Sequence, residues 1–205
     1  ACPDALETCR RDAFRQALDV VRAVGLDLRE VKMADLPYGP VTGTVISAEG
    51  SSVFEPLITS GRIDQLADKR QIAGMKAALE MPARDYLKAM RIRRLIQQEL
   101  NRMLTDVEVL VAPARYTIAN KIVEPLDRSW TPTPAPSSIG LRPLIPAGNL
   151  AGLPALSLPC GFVDGMPVAL QIVGRPWSEN TLLTIGKEFQ NRTDWHRRRP
   201  RTAVS

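Results

Sequence analysis

Covalent catalysis by a side chain needs a nucleophile, a base that takes its proton, and donors for the charge that develops on the substrate. This sequence has few places where such a set could assemble. Cys160 stands between Pro159 and Gly161. A thiol there could attack a carbonyl if an imidazole sat beside it. The one histidine, His196, opens the basic run His196-Arg197-Arg198-Arg199-Pro200-Arg201, where an exposed position is expected. Without that partner, Cys160 reads as a small buried hydrophobe. Ser51 and Ser52 follow Gly50, but Glu49 and Phe54 continue a helical pattern around them. They are expected to serve as packing and polar positions on a helix. Ser137 and Ser138 lie in a proline-rich stretch without flanking glycines. Lys32, Lys69, Lys76, Lys88, Lys121 and Lys187 could act as bases only if made neutral by their surroundings. No catalytic residue is therefore assigned, and the substrate-binding residues stay unknown. Cys2 and Cys9 lack metal-ligand spacing, and one histidine cannot complete a zinc site, so neither metal nor cofactor is expected.

The elements that would position any site come next. Two short apolar runs, Ala155–Leu158 and Val168–Val173, lie between Pro154, Pro159, Pro167 and Gly174. Their length suits buried strands. Asp164-Gly165 between them signals a turn. A helix is expected from about Ser178, with Ser178 as N-cap, Glu179 in the first turn, and Leu182, Leu183, Ile185 and Phe189 inward. Upstream, Asp4–Val24 repeats apolar residues at helical intervals and stops at Gly25. Leu28–Met33 alternates apolar and charged residues as a half-exposed strand would. Val41 to about Thr59 predicts a helix weakened by Gly43 and Gly50. Ile63–Glu80 predicts a less regular helix broken near Gly74, with a boundary at Pro82. Asp85–Leu104 is the clearest helix, with Ile92, Leu95, Ile96, Leu100, Met103 and Leu104 as one apolar stripe. Val107–Ala112 suits a central strand covered on both faces. Six prolines make Arg115–Ala147 irregular. Taken together, the chain reads as α/β, a mixed β-sheet covered by helices. It is expected to form one domain over residues 1–205, with a basic tail at 196–205.

Composition sets outer bounds. The chain has 205 residues and a formal net charge of +5, with an ordinary apolar share. No apolar run reaches membrane length, so no membrane partner is expected. Asp4, Glu7, Arg10, Arg11 and Asp12 interrupt any secretory pattern. Ala1 stands where Met would, after Met removal or after a cut. Three cysteines are too few and too uneven for a disulfide framework, which fits a reducing, cytoplasmic setting. The basic helix face and tail invite a nucleic-acid reading. With no recognisable nucleic-acid module, solvated charge is the better reading, and no nucleic-acid partner is expected.

Several motifs also resemble a known family. Asn149–Gly161 reads N-x-x-G-L-P-A-L-S-L-P-C-G, and Gly165–Gly174 reads G-M-P-V-A-L-Q-I-V-G. Glu179, Leu182 and Leu183 follow as E-x-x-L-L. R-D-Y-L-K-A-M-R-I-R-R at Arg84–Arg94 and T-D-W-H-R-R-R-P at the end fit the same pattern. In this order the segments resemble the C-terminal region of the amidase signature family. The family's D-x-L-x-x-P-T element departs here after Pro113. The resemblance implies the C-terminal part of an α/β/α sandwich in an enzyme hydrolysing amide C–N bonds of small molecules. It further implies a Ser–cis-Ser–Lys triad in an N-terminal half that this sequence does not match. Inactivity of the chain alone follows as an expectation, as does homodimerisation or other self-association through exposed edges. The alternatives are a fragment of the glutaminase component, the A subunit, of a tRNA-dependent amidotransferase and, from another class, a non-catalytic basic interaction module.

Overall fold

A computed structural model describes residues 3–115, 118, 119 and 144–199. Most of the irregular stretch expected at Arg115–Ala147, with Lys121, Ser137 and Ser138, lies outside the described residues. The chain folds as two compact units. The first takes Ala1–Lys32, Met103–Ala119 and Gly152–Ser205. The second takes Met33–Arg102 and Asn120–Ala151.

In the first unit, α1 (Pro3–Ala23) and α7 (Glu179–Asn191) pack on a three-stranded sheet. Its strands are β1 (Val109–Pro113), β2 (Ala155–Val163) and β3 (Met166–Gly174), in the order β1-β3-β2 with both pairs antiparallel. β2 and β3 form the expected hairpin, each longer than its apolar run. Asp164 at φ 52° and Gly165 at φ 73° supply two consecutive left-handed residues, as a two-residue turn of the primed type requires. Pro159 falls inside β2 rather than at its end. It is tolerated because β2 is an edge strand of the described sheet. A bulge follows, since Pro159 faces Ala169 and Gly161 faces Val168, which leaves Cys160 as the extra residue. Ala17, Val21, Leu158, Cys160, Leu170, Ile172, Leu182, Ile185 and Phe189 close one core.

Three expectations change here. β1 lies at an edge of the described sheet, and β3 is the central strand. An apolar run reports coverage of its two faces and is silent about its two edges. Leu28–Met33 forms no strand. Alternation alone gives a segment no ladder hydrogen bonds. Leu183 points outward and is exposed, one position off the buried line of Leu182, Ile185 and Phe189.

The second unit is helical: α2 (Tyr38–Val53), α3 (Glu55–Thr59), a 3-10 turn (Arg62–Gln65), α4 (Lys69–Leu79), most of α5 (Ala83–Asp106) and α6 (Leu144–Ala151). The break expected near Gly74 occurs instead before α4, which runs through that glycine. Asp68 sets the start by accepting hydrogen bonds from the Arg70 and Gln71 amides. A cap of this kind is worth about 1 kcal/mol, similar to what one interior glycine costs. Ile58, Ile63 and Ile72 form a small core there. On α5 the predicted stripe holds at Ile96, Leu100, Met103 and Leu104, while Leu95 is exposed. α6 begins at Leu144, inside the stretch expected to be irregular. Pro146 sits in its first turn, where a missing amide hydrogen loses no helical bond.

Candidate functional site

Each residue with nucleophilic chemistry is held by its element for another purpose. Ser51 lies on α2 and is buried. Its hydroxyl faces the Ala48 carbonyl at 3.0 Å and the Ala78 carbonyl, at the end of α4, at 3.3 Å. The proton that a base would need to remove is shared with main-chain oxygens. Ser52 and Ser51 help line an open cleft of about 330 Å³ with Glu55, Met81 and Tyr86. Tyr86 donates to the Glu49 carboxylate at 3.1 Å, and that hydrogen bond raises the phenol above its ordinary pKa. This cleft offers hydroxyls and the Glu55 carboxylate, with no amine base among its lining residues.

Cys160 is 2 % exposed and sits in the core between the sheet and its helices. Burial pushes its thiol from near 9 up to about 11. A thiol so raised stays protonated at neutral pH and is a poor nucleophile. The structure therefore agrees with the reading of Cys160 as a packing residue.

His196 departs from expectation. It is half-buried on a 3-10 turn, Trp195–Arg197, and its Nδ1 is buried without a hydrogen-bond partner. The cause lies next door. Trp195 packs on Phe189 of α7 with ring centroids 5.8 Å apart, which draws the start of the basic run onto the core. A second open cleft, of about 430 Å³, lies beside it and is lined by Val20 and Asn191–Trp195. Its polar groups are engaged: Arg192 with Glu188 at 2.7 Å, Asp194 with Arg198 at 3.0 Å, and Thr193 on the Phe189 carbonyl. Hydrogen bonds from Arg192 and Arg198 hold the Glu188 and Asp194 carboxyls below their usual range.

Among the described residues no serine is bonded to a lysine. Lys76 ends on Asp64 at 2.7 Å, and Ser178 gives its hydroxyl to the Arg175 carbonyl at 2.7 Å, without capping α7 by its side chain. No described group of three His, Cys, Asp or Glu could hold a metal ion. No described helix is long and apolar enough to cross a membrane.

One positioning device escaped the sequence reading. Arg175 donates from Nε to the Leu104 carbonyl at 2.7 Å and from Nη2 to the Val107 carbonyl at 3.3 Å. Arg29 donates to the Asp106 carbonyl. Two arginines from distant segments thus satisfy the open carbonyls where α5 ends and the chain turns toward β1. Their partners are main-chain atoms, which leave no mark in side-chain spacing.

The first unit is thus a hairpin-centred sheet with flanking helices and the second unit is helical, and among the described residues no nucleophile is paired with a base. Comparison with known proteins gives this fold a family. The chain belongs to the amidase family, whose pattern matches residues 4–183. It is 32% identical to the A subunit of glutamyl-tRNA(Gln) amidotransferase from Chloroflexus aurantiacus over 227 aligned residues, covering 98% of this chain and 45% of that protein. The same subunit from a Synechococcus strain is 46% identical over 117 residues, or 56% of this chain and 21% of its own. Among solved structures, one amidase superposes with a TM-score of 0.73 at 23% identity, covering 89% of this chain and 41% of its own. A bacterial aryl acylamidase of the amidase signature family gives 0.69 at 18% identity, covering 91% of this chain and 40% of its own. These structures share the fold. The chain spans about half the length of the curated relatives it matches.

Proposed function

We propose that this chain is the supporting part of an enzyme that hydrolyses amide C–N bonds, with the reacting groups carried by further polypeptide. One observation carries the reading. The chain has the amidase pattern over residues 4–183, yet among its described residues no serine is bonded to a lysine. In the complete enzyme a neutral lysine would take a proton from a bridging serine, which in turn would free the nucleophilic serine to attack the amide carbonyl. The part played by the residues described here is mechanical. The β2–β3 hairpin, α1 and α7 form a rigid backing, and the second unit contributes to the walls around a small-molecule amide. The setting proposed is the cytoplasm.

Incubation of the purified chain with an aryl acetamide and with glutamine tests this. No turnover is expected from the chain, and turnover is expected from a longer polypeptide that adds a lysine and a Gly/Ser-rich loop. Hydrolysis by the chain alone, abolished by Ser52→Ala, would overturn the proposal.

A narrower reading has support from the 32% identity over 98% of this chain. It makes the complete protein the glutaminase component of a tRNA-dependent amidotransferase. Ammonia release from glutamine that depends on added partner subunits would favour it over a free-standing amidase. The basic interaction module has less support, because Arg102 of the basic helix and Arg198 of the tail are already paired with Glu99 and Asp194.

A further inference from the structure

α2 is an unusual surface element. Over Tyr38–Val53 its one charged residue is Glu49. Its remaining residues are apolar, glycine or hydroxyl-bearing, and a helix with so little charge is ordinarily covered on more than one side. Tyr38, Val41 and Ser51 give α2 a buried side, and it packs there against α4 and α6 of its own unit. The opposite side is open. Ile46 is 64 % exposed, Val53 71 %, and Phe54, which follows the helix, 49 %. Gly43 and Gly50 lie on the same side, and a Cβ built on either would meet nothing within 4 Å. Gly43, Ile46, Gly50 and Val53 follow one another at steps of three, four and three residues. That is the step pattern of a helix–helix seam, with large and small residues alternating so that an opposing side chain can enter at each glycine. The exposed apolar residues of α5 differ, since Leu87 and Leu95 are interspersed with Lys88, Arg91 and Arg94. A solvated face explains them, and it does not explain α2.

The relatives indicate what covers this side. The Chloroflexus aurantiacus relative matches 98% of this chain and is more than twice its length, since the chain covers 45% of it. We infer that the Gly43–Ile46–Gly50–Val53 face of α2 seats an apolar helix from that further part of the amidase polypeptide, with large side chains filling the two glycine notches. This rests on the reading of the chain as the supporting part of a longer enzyme. A second copy of the chain is the competing occupant and a weaker one. Four seam positions are few against the ~800 Å² per partner of a stable interface between separate molecules. A helix in the same polypeptide is held at high effective concentration and needs no such area.

The test uses an Ile46→Cys variant, in this chain and in a fusion that places before it the part of the Chloroflexus aurantiacus relative it does not match. Maleimide labelling of that cysteine is followed by peptide mass spectrometry, and sedimentation gives the oligomeric state. Labelling about tenfold slower in a monomeric fusion than in the chain is expected, as burial under a packed helix limits access to local opening. Equal rates in the two proteins would overturn the inference. So would slow labelling in the chain alone accompanied by a dimer, which would assign the face to a second copy. Amide turnover by the fusion is read separately. A protected cysteine in an inactive fusion counts against the catalytic proposal alone, and an accessible cysteine in an active fusion counts against this inference alone.

Discussion

Burial decides what Cys160 can do. Its thiol lies in the core with Leu158, Leu170 and Phe189, and lack of solvent raises its pKa from near 9 to about 11. The sign of the stability effect follows from where each state ionises. Below the unfolded value the thiol is neutral in both states, so the contribution is constant. As pH rises past that value the unfolded chain ionises first, and stability falls until the folded thiol also ionises near 11. A shift of this size corresponds to at most about 3 kcal/mol. Urea midpoints measured from about pH 8 to about pH 10.5 should therefore drop more steeply for the native sequence than for Cys160→Ala. Ala leaves a small cavity whose cost does not change with pH. Parallel slopes would mean the thiol is better solvated than its position in the core indicates. The packing role of Cys160 was legible in the sequence because it lacked an imidazole partner, and that of Ser51 because Glu49 and Phe54 continue a helical pattern around it. The half-burial of His196 was not legible. It depends on Trp195 reaching Phe189, a contact no local pattern around His196 records.

Elements were legible where their own residues set their limits. α1 stops at Gly25, the hairpin turns at Asp164-Gly165, and α5 repeats its apolar stripe over several turns. They were less legible where a neighbour decides. Leu95 and Leu183 lie on periodic stripes, yet the elements packed beside them cover a narrower strip than the period suggests. Leu28–Met33 has a strand's alternation and pairs with no strand among the described residues. What holds it instead is Arg29 on the Asp106 carbonyl, beside Arg175 on Leu104 and Val107. Those carbonyls belong to a helix end, where unmet acceptors and the negative end of the helix dipole both favour a guanidinium. Arg175→Ala should lower stability by about 1 kcal/mol, read as a shift in urea midpoint without a change in slope. Arg175→Lys should recover only part of it, since an ammonium cannot reproduce the planar fork that spans two carbonyls. An unchanged midpoint in Arg175→Ala would mean that water satisfies the α5 carbonyls equally well.

At the scale of the whole molecule the family was legible in the ordered motifs of Asn149–Gly161 and Gly165–Gly174, which form the end of α6 and the β2–β3 hairpin and carry no paired nucleophile and base. The proposal that this chain is a supporting part carries a physical consequence. Trp177, Leu183, Ile46, Val53 and Phe54 are all exposed, and on that proposal they are apolar surface that further polypeptide would cover. The described sheet also ends at β1 on one side and β2 on the other, and an unpaired strand edge offers main-chain donors and acceptors to another copy. Burial of apolar area returns roughly 25 cal/mol per Å², so a few such side chains suffice for weak association at high protein concentration. Sedimentation velocity over a wide concentration range should show the weight-average mass of the isolated chain rising with concentration. Ammonium sulfate should strengthen the effect, because a salt excluded from the surface favours apolar burial. Simple monovalent salt should not weaken it, which separates it from association through the basic tail. A monomer that keeps one mass throughout and unfolds at a concentration-independent temperature would show that the exposed apolar residues are too dispersed to act together, and the case for a missing covering half would lose its energetic support.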